Sequence, residues 1–365
     1  MARALELAAL GMDSTDPNPR VGCVITRDDR VIGEGWHERA GEAHAEVAAL
    51  RSMDESGADG ATVYVTLEPC SHFGRTPPCA DALIAAGVSR VVYAVVDPNP
   101  RVSGAGAAKL KEAGIAVESG LMETEAVELN IGFMKRNQTG RPFVRMKLAM
   151  SLDGRTALAN GQSQWITGEA ARHDVQLWRA RSSAVMIGAG TLTADDPRLD
   201  VRLPGEGRRQ PMRVVLDARL RTSPDARLFT TGGQVLIFTA PGGGDADPEA
   251  WAAAAARLSE RGAQVEYAAA IGKRLDLDAV LARLAELECN EVLLEAGAKL
   301  AGAFVAAGLI DEMLLYVAPK ILGPQAYPLV EIPPLQALEE APAFVVYETA
   351  PVGEDLRIRF RPKER

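Results

Sequence analysis

Apolar positions fall at helical spacing from Ala2 to Gly11, switch to strand-like runs at Val21–Thr26 and Arg30–Trp36, and return to helical spacing from Ala43 to Met53. The β-rich run from Ala61 to Glu68 reads as a further strand. A strand over Arg90–Val96, a helix over Gly106–Gly114 and a short strand to Glu118 follow. Helix, paired strands and then βα repeats predict a layered α/β unit that ends near Gly120. A polar, helix-prone stretch from Glu123 to Arg136 then bridges to a second unit opening at Arg141-Pro142-Phe143. The expected boundaries are 1–122 for the first unit, 123–140 for a helical linker and 141–365 for the second.

In the second unit the strand Phe143–Ala149 leads into a turn, Met150 to Gly154. Further strands are expected at Ala184–Ile187, Arg213–Leu216, Val235–Phe238 and Glu291–Leu294. Helices are expected at Glu169–Ala180, Pro248–Arg261, Leu277–Glu288 and Leu300–Ala307. Alternating strands and helices predict a mainly parallel sheet covered on both faces. The last segments, Glu312–Ala318, Phe344–Tyr347 and Leu356–Phe360, lack long intervening helices and are expected to pair antiparallel at an edge. No internal repeat links the two halves.

The chain has 365 residues, enough for two domains with cores of their own. No apolar run reaches membrane-spanning length, and the start Met1-Ala2-Arg3-Ala4-Leu5 lacks a signal peptide's apolar stretch. Cytoplasm is the expected compartment, and whether the N-terminus is complete is left open. A formal net charge of -9 offers no basic field for a phosphate backbone, so nucleic acid is disfavoured as substrate and a small molecule favoured. Of 4 cysteines, Cys23 lies in an apolar run and Cys289 near a helix end, where buried free thiols are expected.

The remaining two cysteines change the picture. His44-Ala45-Glu46, Cys70 after Pro69, and Cys79 supply one imidazole, two thiolates and a nearby carboxylate. Three protein ligands leave a tetrahedral zinc with an open fourth position for water, the ligand count of a catalytic site. Glu46 is placed to move protons to and from that water, the pattern of zinc deaminases of nucleobases. His-x-Glu alone is common by chance, and the specificity comes from its combination with the Pro-Cys pair and second cysteine. The spacing departs from the short Pro-Cys-x-x-Cys form: Ser71 to Pro78 is too long for an ordinary zinc turn and reads as a dedicated substrate loop. The second half has no Gly-x-Gly-x-x-Gly. Gly188-Ala189-Gly190 lacks the third glycine, as does Gly104-Ala105-Gly106 in the first half, so a Rossmann fold is not supported.

Motifs running in order through nearly the whole chain resemble the bacterial RibD family, the bifunctional deaminase–reductases of riboflavin biosynthesis. They are 17–22 (Pro17 to Gly22), His44-Ala45-Glu46, 66–72 continuing to Cys79, 97–100, 147–154, 163–167, 191–197, and 295–302. The resemblance implies a cytidine-deaminase-like three-layer α/β/α domain followed by a dihydrofolate-reductase-like α/β domain. It implies Zn2+ and NADPH as cofactors. The implied substrate is a phosphorylated ribosylaminopyrimidine, deaminated first and then reduced from ribosyl to ribityl.

The resemblance also assigns roles. Glu46 would be the deaminase's proton carrier, and Lys147 and Asp195 would be catalytic in reduction. His44, Cys70 and Cys79 would hold the metal. Asn18, His37, His72 and Arg75 would line the deaminase pocket, with Arg75's fork of donors suited to the substrate phosphate. Asn18 between two prolines is also a good turn former, and a loop arginine is otherwise a solvated charge. Trp165, Thr191, Asp195 and the run Gly297, Ala298, Lys299, Leu300, Ala301 and Gly302 would bind NADPH. That run follows a strand and opens a helix, where backbone amides cradle phosphates, although a tight crossing would also want glycine. Lys147, Ser163, Arg179, Leu199, Arg202 and Glu295 would bind substrate. Lys147 is costly inside an apolar strand without a purpose, unless its amine reaches water at the strand end. Relatives imply a homo-oligomer through the reductase domain.

Two rivals stand beside this reading. One is a stand-alone nucleotide or base deaminase with a non-catalytic C-terminal oligomerisation domain, against which the intact motifs around Lys147 and Glu295 speak. The other is a zinc-stabilised binding module, which the open three-ligand site with its adjacent glutamate disfavours.

Overall fold

The alternation read from the sequence becomes two separate sheets. A computed structural model describes residues 1–55, 57–71, 77–100, 103–205, 208–240 and 248–363. The chain divides into two compact units, Met1–Arg141 and Pro142–Arg365.

The first unit runs α1 (Ala2–Ala9), β1 (Gly22–Arg27), β2 (Arg30–Trp36), α2 (Ala45–Arg51), β3 (Thr62–Leu67), α3 (Cys79–Ala85), β4 (Arg90–Val95), α4 (Ala105–Glu112), β5 (Ala116–Ser119), α5 (Glu123–Leu129) and α6 (Ile131–Thr139). Its sheet order is β2-β1-β3-β4-β5. β1 pairs antiparallel with β2 and β3, while β3, β4 and β5 are parallel. The strand period sorts β1 between faces: Val24 meets Ala4 and Leu7 of α1, and Cys23 and Ile25 join the core with Ala45, Ala49 and Leu83. The stretch expected to be a linker is instead part of this unit. Ala126 of α5 and Met134 of α6 are buried in its core, and Asn130 between the two helices exchanges two 2.8 Å bonds with the Arg20 backbone.

The second unit comprises β6 (Phe143–Ser151), β7 (Arg155–Ala157), α7 (Glu169–Arg181), β8 (Ala184–Gly188), α8 (Ala189–Asp195), β9 (Met212–Leu216), β10 (Val235–Thr239), α9 (Pro248–Glu260), β11 (Ala263–Tyr267), β12 (Ala270–Ile271), β13 (Arg274–Leu275), α10 (Leu277–Glu286), β14 (Glu291–Leu294), α11 (Ala298–Ala306), β15 (Glu312–Ala318), β16 (Tyr327–Pro328), β17 (Phe344–Val352) and β18 (Asp355–Pro362). The main sheet is ordered β11-β10-β9-β8-β14-β6-β15-β18-β17. Every neighbouring pair from β11 to β15 is parallel. Both faces are covered, as the continuous apolar strands require. On β8, Ala184 and Met186 pack with α10 and α11, while Val185 and Ile187 pack with α7 and α9.

The last three strands pair antiparallel at one edge of the sheet, as expected, β15 against β18 and β18 against β17; β15 also lies parallel to β6, which joins this edge to the parallel part of the sheet. The 168 residues between Phe143, which opens β6, and Glu312 of β15 include the crossover that a parallel pair demands.

Candidate active sites

His44 stands at the N-cap of α2 in an extended conformation (φ -72°, ψ 161°), so its ring leaves the helix start while Glu46 turns inward, 3% exposed. Cys79 is the first residue of α3. Cys70 lies in the irregular segment after β3, outside any helix. His44 Nδ1 is 3.2 Å from Cys79 Sγ and 3.5 Å from Cys70 Sγ, and the Cys79 amide donates to Cys70 Sγ at 3.3 Å. All three ligand atoms lie within 4.8 Å of one another. Tetrahedral bonds of about 2.1 Å to nitrogen and about 2.3 Å to sulfur put those atoms about 3.6 Å apart, so this donor set fits one zinc ion.

The charges favour the same reading. The hydrogen bond from Cys79, then those from His44 and the Cys79 amide, hold the Cys70 thiol down at about 4 against the burial that would raise it. A thiolate is the form that binds metal. Burial, followed by the Cys70 charge, pushes the Glu46 carboxyl above its ordinary value.

Asn18 and His37 join this cluster. His37 Nδ1 donates to the Ala43 carbonyl at 3.0 Å, which leaves Nε2 to accept from Asn18 Nδ2, also at 3.0 Å. The His37 ring stands edge-on to His44, centroids 5.5 Å apart. Burial is the main cause that lowers the His37 pKa, consistent with a neutral ring. His72 and Arg75 lie outside the described residues.

In the second unit, Arg179 of α7 grips Glu295 past the end of β14 with two bonds, Nε to Oε1 at 2.6 Å and Nη2 to Oε2 at 2.9 Å. Arg179 Nη1 reaches the Asp200 carbonyl at 3.1 Å. Against the burial that would raise it, Arg179, with Lys147 and Arg202, holds the Glu295 carboxyl below its ordinary value. Burial lowers the Lys147 pKa; Glu295 and Asp195 oppose that shift and Arg179 adds to it. Lys147, Arg179, Asp195, Arg202 and Glu295 therefore form one charged group. Arg202 and Arg198 flank the buried Asp200 carboxylate, each at 2.6 Å, and Leu199 between them is buried with φ 58°.

Ser163 and Trp165 belong to the segment leading into α7. Trp165 is 63% exposed, with the Arg172 guanidinium 4.7 Å from its ring centroid. Lys320 holds that segment, donating to the Trp165 and Ile166 carbonyls at 3.0 and 2.6 Å. Gly297 is the N-cap of α11, without a capping side chain, and a Cβ on it would come within 3.7 Å of Thr191 Oγ1. Gly297 and Lys299 are exposed, so the first amides of α11 are open to phosphate oxygens and the NADPH expectation fits there. The side chains farther along this run serve the core. Ala301 is fully buried in the core, and a Cβ on Gly302 would fall 1.7 Å from the Glu331 carbonyl, so packing against that backbone accounts for this glycine. Leu300 packs over Gly188.

Glu68, Asn130, Asp200 and Lys320 were not singled out from the sequence. Glu68, adjacent to Pro69-Cys70, was the one with a visible signal.

Among the described residues no helix is long and apolar enough to cross a membrane. Residues 142–355 match the family described as RibD C-terminal domain, and residues 1–95 the cytidine and deoxycytidylate deaminase zinc-binding region. The chain is 48% identical to riboflavin biosynthesis protein RibD of Escherichia coli, over 98% of this chain and 96% of the relative. It is 44% identical to that of Haemophilus influenzae over 100% and 96%. Acinetobacter baumannii RibD superposes with a TM-score of 0.89 at 44% identity, covering 100% of this chain and 98% of that one. A Thermotoga maritima diaminohydroxyphosphoribosylaminopyrimidine deaminase/5-amino-6-(5-phosphoribosylamino)uracil reductase gives 0.85 at 35% identity, covering 100% and 97%. With a deaminase-like zinc site in one unit and a matching reductase domain in the other, the chain belongs to the RibD family of riboflavin biosynthesis.

Proposed function

We propose that the chain carries out two consecutive reactions on one phosphorylated pyrimidine, 2,5-diamino-6-(5-phosphoribosylamino)pyrimidin-4(3H)-one. The Met1–Arg141 unit hydrolyses an amino group to a carbonyl and releases ammonia. The Pro142–Arg365 unit reduces the ribosyl side chain to ribityl. The observation that carries this reading is the convergence of His44 Nδ1, Cys70 Sγ and Cys79 Sγ within 4.8 Å, with the buried Glu46 in the adjoining helical turn.

Zinc, when bound, supplies a Lewis acid that lowers the pKa of a coordinated water. Glu46 takes a proton from the water that attacks the amidine carbon, passes it to the ring nitrogen and then carries a proton to the departing amine. Asn18, oriented by His37, presents its amide to the pyrimidine edge. In the second unit NADPH, when bound, supplies the hydride. The ribose must first open to an imine so that C1' can accept it. Lys147, whose burial makes it a better proton donor than an ordinary lysine, gives its proton to the ring oxygen, with Asp195 assisting. Arg179 fixes Glu295, and Glu295 with Ser163, Leu199 and Arg202 holds the substrate. Trp165, Thr191, Asp195 and residues 297–302 hold the cofactor.

The stand-alone deaminase reading is disfavoured by the family match across 142–355 and by the intact Arg179–Glu295 pair. A cytoplasmic location and a homo-oligomer assembled through the reductase unit complete the proposal; light scattering of the purified chain tests the assembly. The main test is mass spectrometry of the substrate after incubation with the zinc-loaded chain. An amine-to-carbonyl shift without NADPH, then a gain of two hydrogens with it, is expected. Deamination alone would overturn the second assignment, and an unchanged substrate with folded zinc protein would overturn both.

A further inference from the structure

The Gly104-Ala105-Gly106 turn, a poor match to a phosphate-binding loop, opens α4 onto a carboxylate from its own chain. Glu68 Oε2 accepts from the amides of Gly104 at 2.9 Å and Asp97 at 3.3 Å, while Oε1 accepts from those of Gly106 at 3.1 Å and Ala107 at 3.2 Å. The side chain is 3% exposed. An anion at a helix start, satisfied by backbone donors on both oxygens, is a strong and directional anchor. The deamination chemistry gives Glu68 no part.

Glu68 is, however, followed by Pro69 and Cys70. A Cβ on Gly106 would fall 1.8 Å from the Pro69 carbonyl oxygen, so α4 touches the backbone of this turn directly. Both residues that precede Cys70 are thus gripped by one helix start. On the other flank the Cys79 amide bonds Cys70 Sγ, and the Ala80 amide bonds the Cys70 carbonyl at 3.1 Å. This matters because His44 and Cys79 ride on helix starts and Cys70 does not. A ligand in a turn must have its backbone fixed from outside if the donor set is to meet at one point.

We propose that Glu68 and Gly106 form a clamp that sets the backbone of Cys70 where its sulfur can share one metal ion with His44 and Cys79, making Glu68 a positioning residue of the deaminase. This rests on the zinc-deaminase reading. The isosteric Glu68→Gln turns an amide NH2 against backbone donors, and Gly106→Ala displaces Pro69; Glu68→Asp keeps the charge but withdraws it by one methylene.

Each variant is made in the full chain and loaded with zinc or with cobalt. Glu68→Gln and Gly106→Ala are expected to release zinc to a chelating dye about 10–100-fold faster than the parent. Their sulfur-to-cobalt and d–d absorption bands shift, deaminase kcat falls, and NADPH-dependent reduction by the second unit is unchanged. Glu68→Asp, the mildest change, shows the same shifts in smaller measure. A parental cobalt spectrum and zinc release in all three variants would overturn the clamp. So would a loss confined to the folded fraction, with a parental spectrum in the chains that do load, because that is what a purely structural contact gives. A parent that binds cobalt through two sulfurs but releases no ammonia counts against the deaminase reading, and the spectra still judge the clamp.

Discussion

At the scale of single residues, each active centre contains an ionisable side chain displaced from its ordinary behaviour by burial. Glu46 is one, and its removal as an acid–base group should spare the ligands beside it. Glu46→Gln is expected to retain zinc by elemental analysis, to lose at least ~10²-fold in ammonia release, and to reduce its second substrate at the parental rate. Lys147 is the other. Its pKa is lowered in the folded chain, so below the ordinary lysine value of about 10.4 the unfolded chain binds more protons and the charge opposes folding. Stability therefore rises with pH between the lowered value and the ordinary one. Lys147→Met should abolish reduction and raise the melting temperature of the Pro142–Arg365 unit at neutral pH, with the gain shrinking as pH approaches the ordinary value. A melting temperature at or below the parent's at neutral pH would show that lysine's counter-charges outweigh its burial. The metal ligands and Glu46 were legible in the sequence because each sits in a short local motif. Glu68 stands in the same run as Cys70, but its anchoring contacts were not legible, because its partners are backbone amides, which no residue type marks.

At the scale of elements, long periodic segments were read closely: β14 has the expected bounds, and α7 and α9 differ by one residue. The misses have physical causes. α8 carries no clear sequence signal because only Ala189 and Leu192 of its seven residues are buried, too few to set a helical period. β11 carries little strand signal because it is an edge strand with Ala263 as its one buried position. Helix α11 shows how one element serves two demands. Its open N-terminus suits the cofactor, while its middle crosses the Glu331 backbone so closely that only glycine fits at 302. Gly302→Ala should therefore destabilise the second unit by about 1–3 kcal/mol by chemical denaturation. The first unit's deaminase rate serves as the internal control and should not change.

At the scale of the whole molecule, the domain boundary falls later than composition suggested. Polar residues on α5 and α6 resemble a linker, but Asn130 mimics a backbone partner for Arg20, near Asn18, across a separation of 110 residues. A fragment of residues 1–141 should melt cooperatively and release ammonia, whereas 1–122 should do neither. Cooperative melting of the shorter piece would show that the two helices are dispensable. The second unit has the more demanding order of assembly. β6 is its first strand to be synthesised, yet its two neighbours, β14 and β15, come from the far end of the chain. Until those strands emerge from the ribosome, β6 exposes two unpaired edges of Val, Met and Leu, the kind of surface on which nascent chains stick to one another. Arg145 interrupts that run. In the finished protein its guanidinium is buried between Glu291 of β14 and Glu312 of β15, at 2.7 and 2.6 Å, so the two late strands each bring the carboxylate that neutralises it. The same charge that is expensive to bury keeps the young strand in solution and makes the correct neighbours the ones that can quench it. Arg145→Leu should leave more of the chain in aggregates during dilution from denaturant, by light scattering, and an unchanged aggregated fraction would remove this chaperone-like role from the arginine.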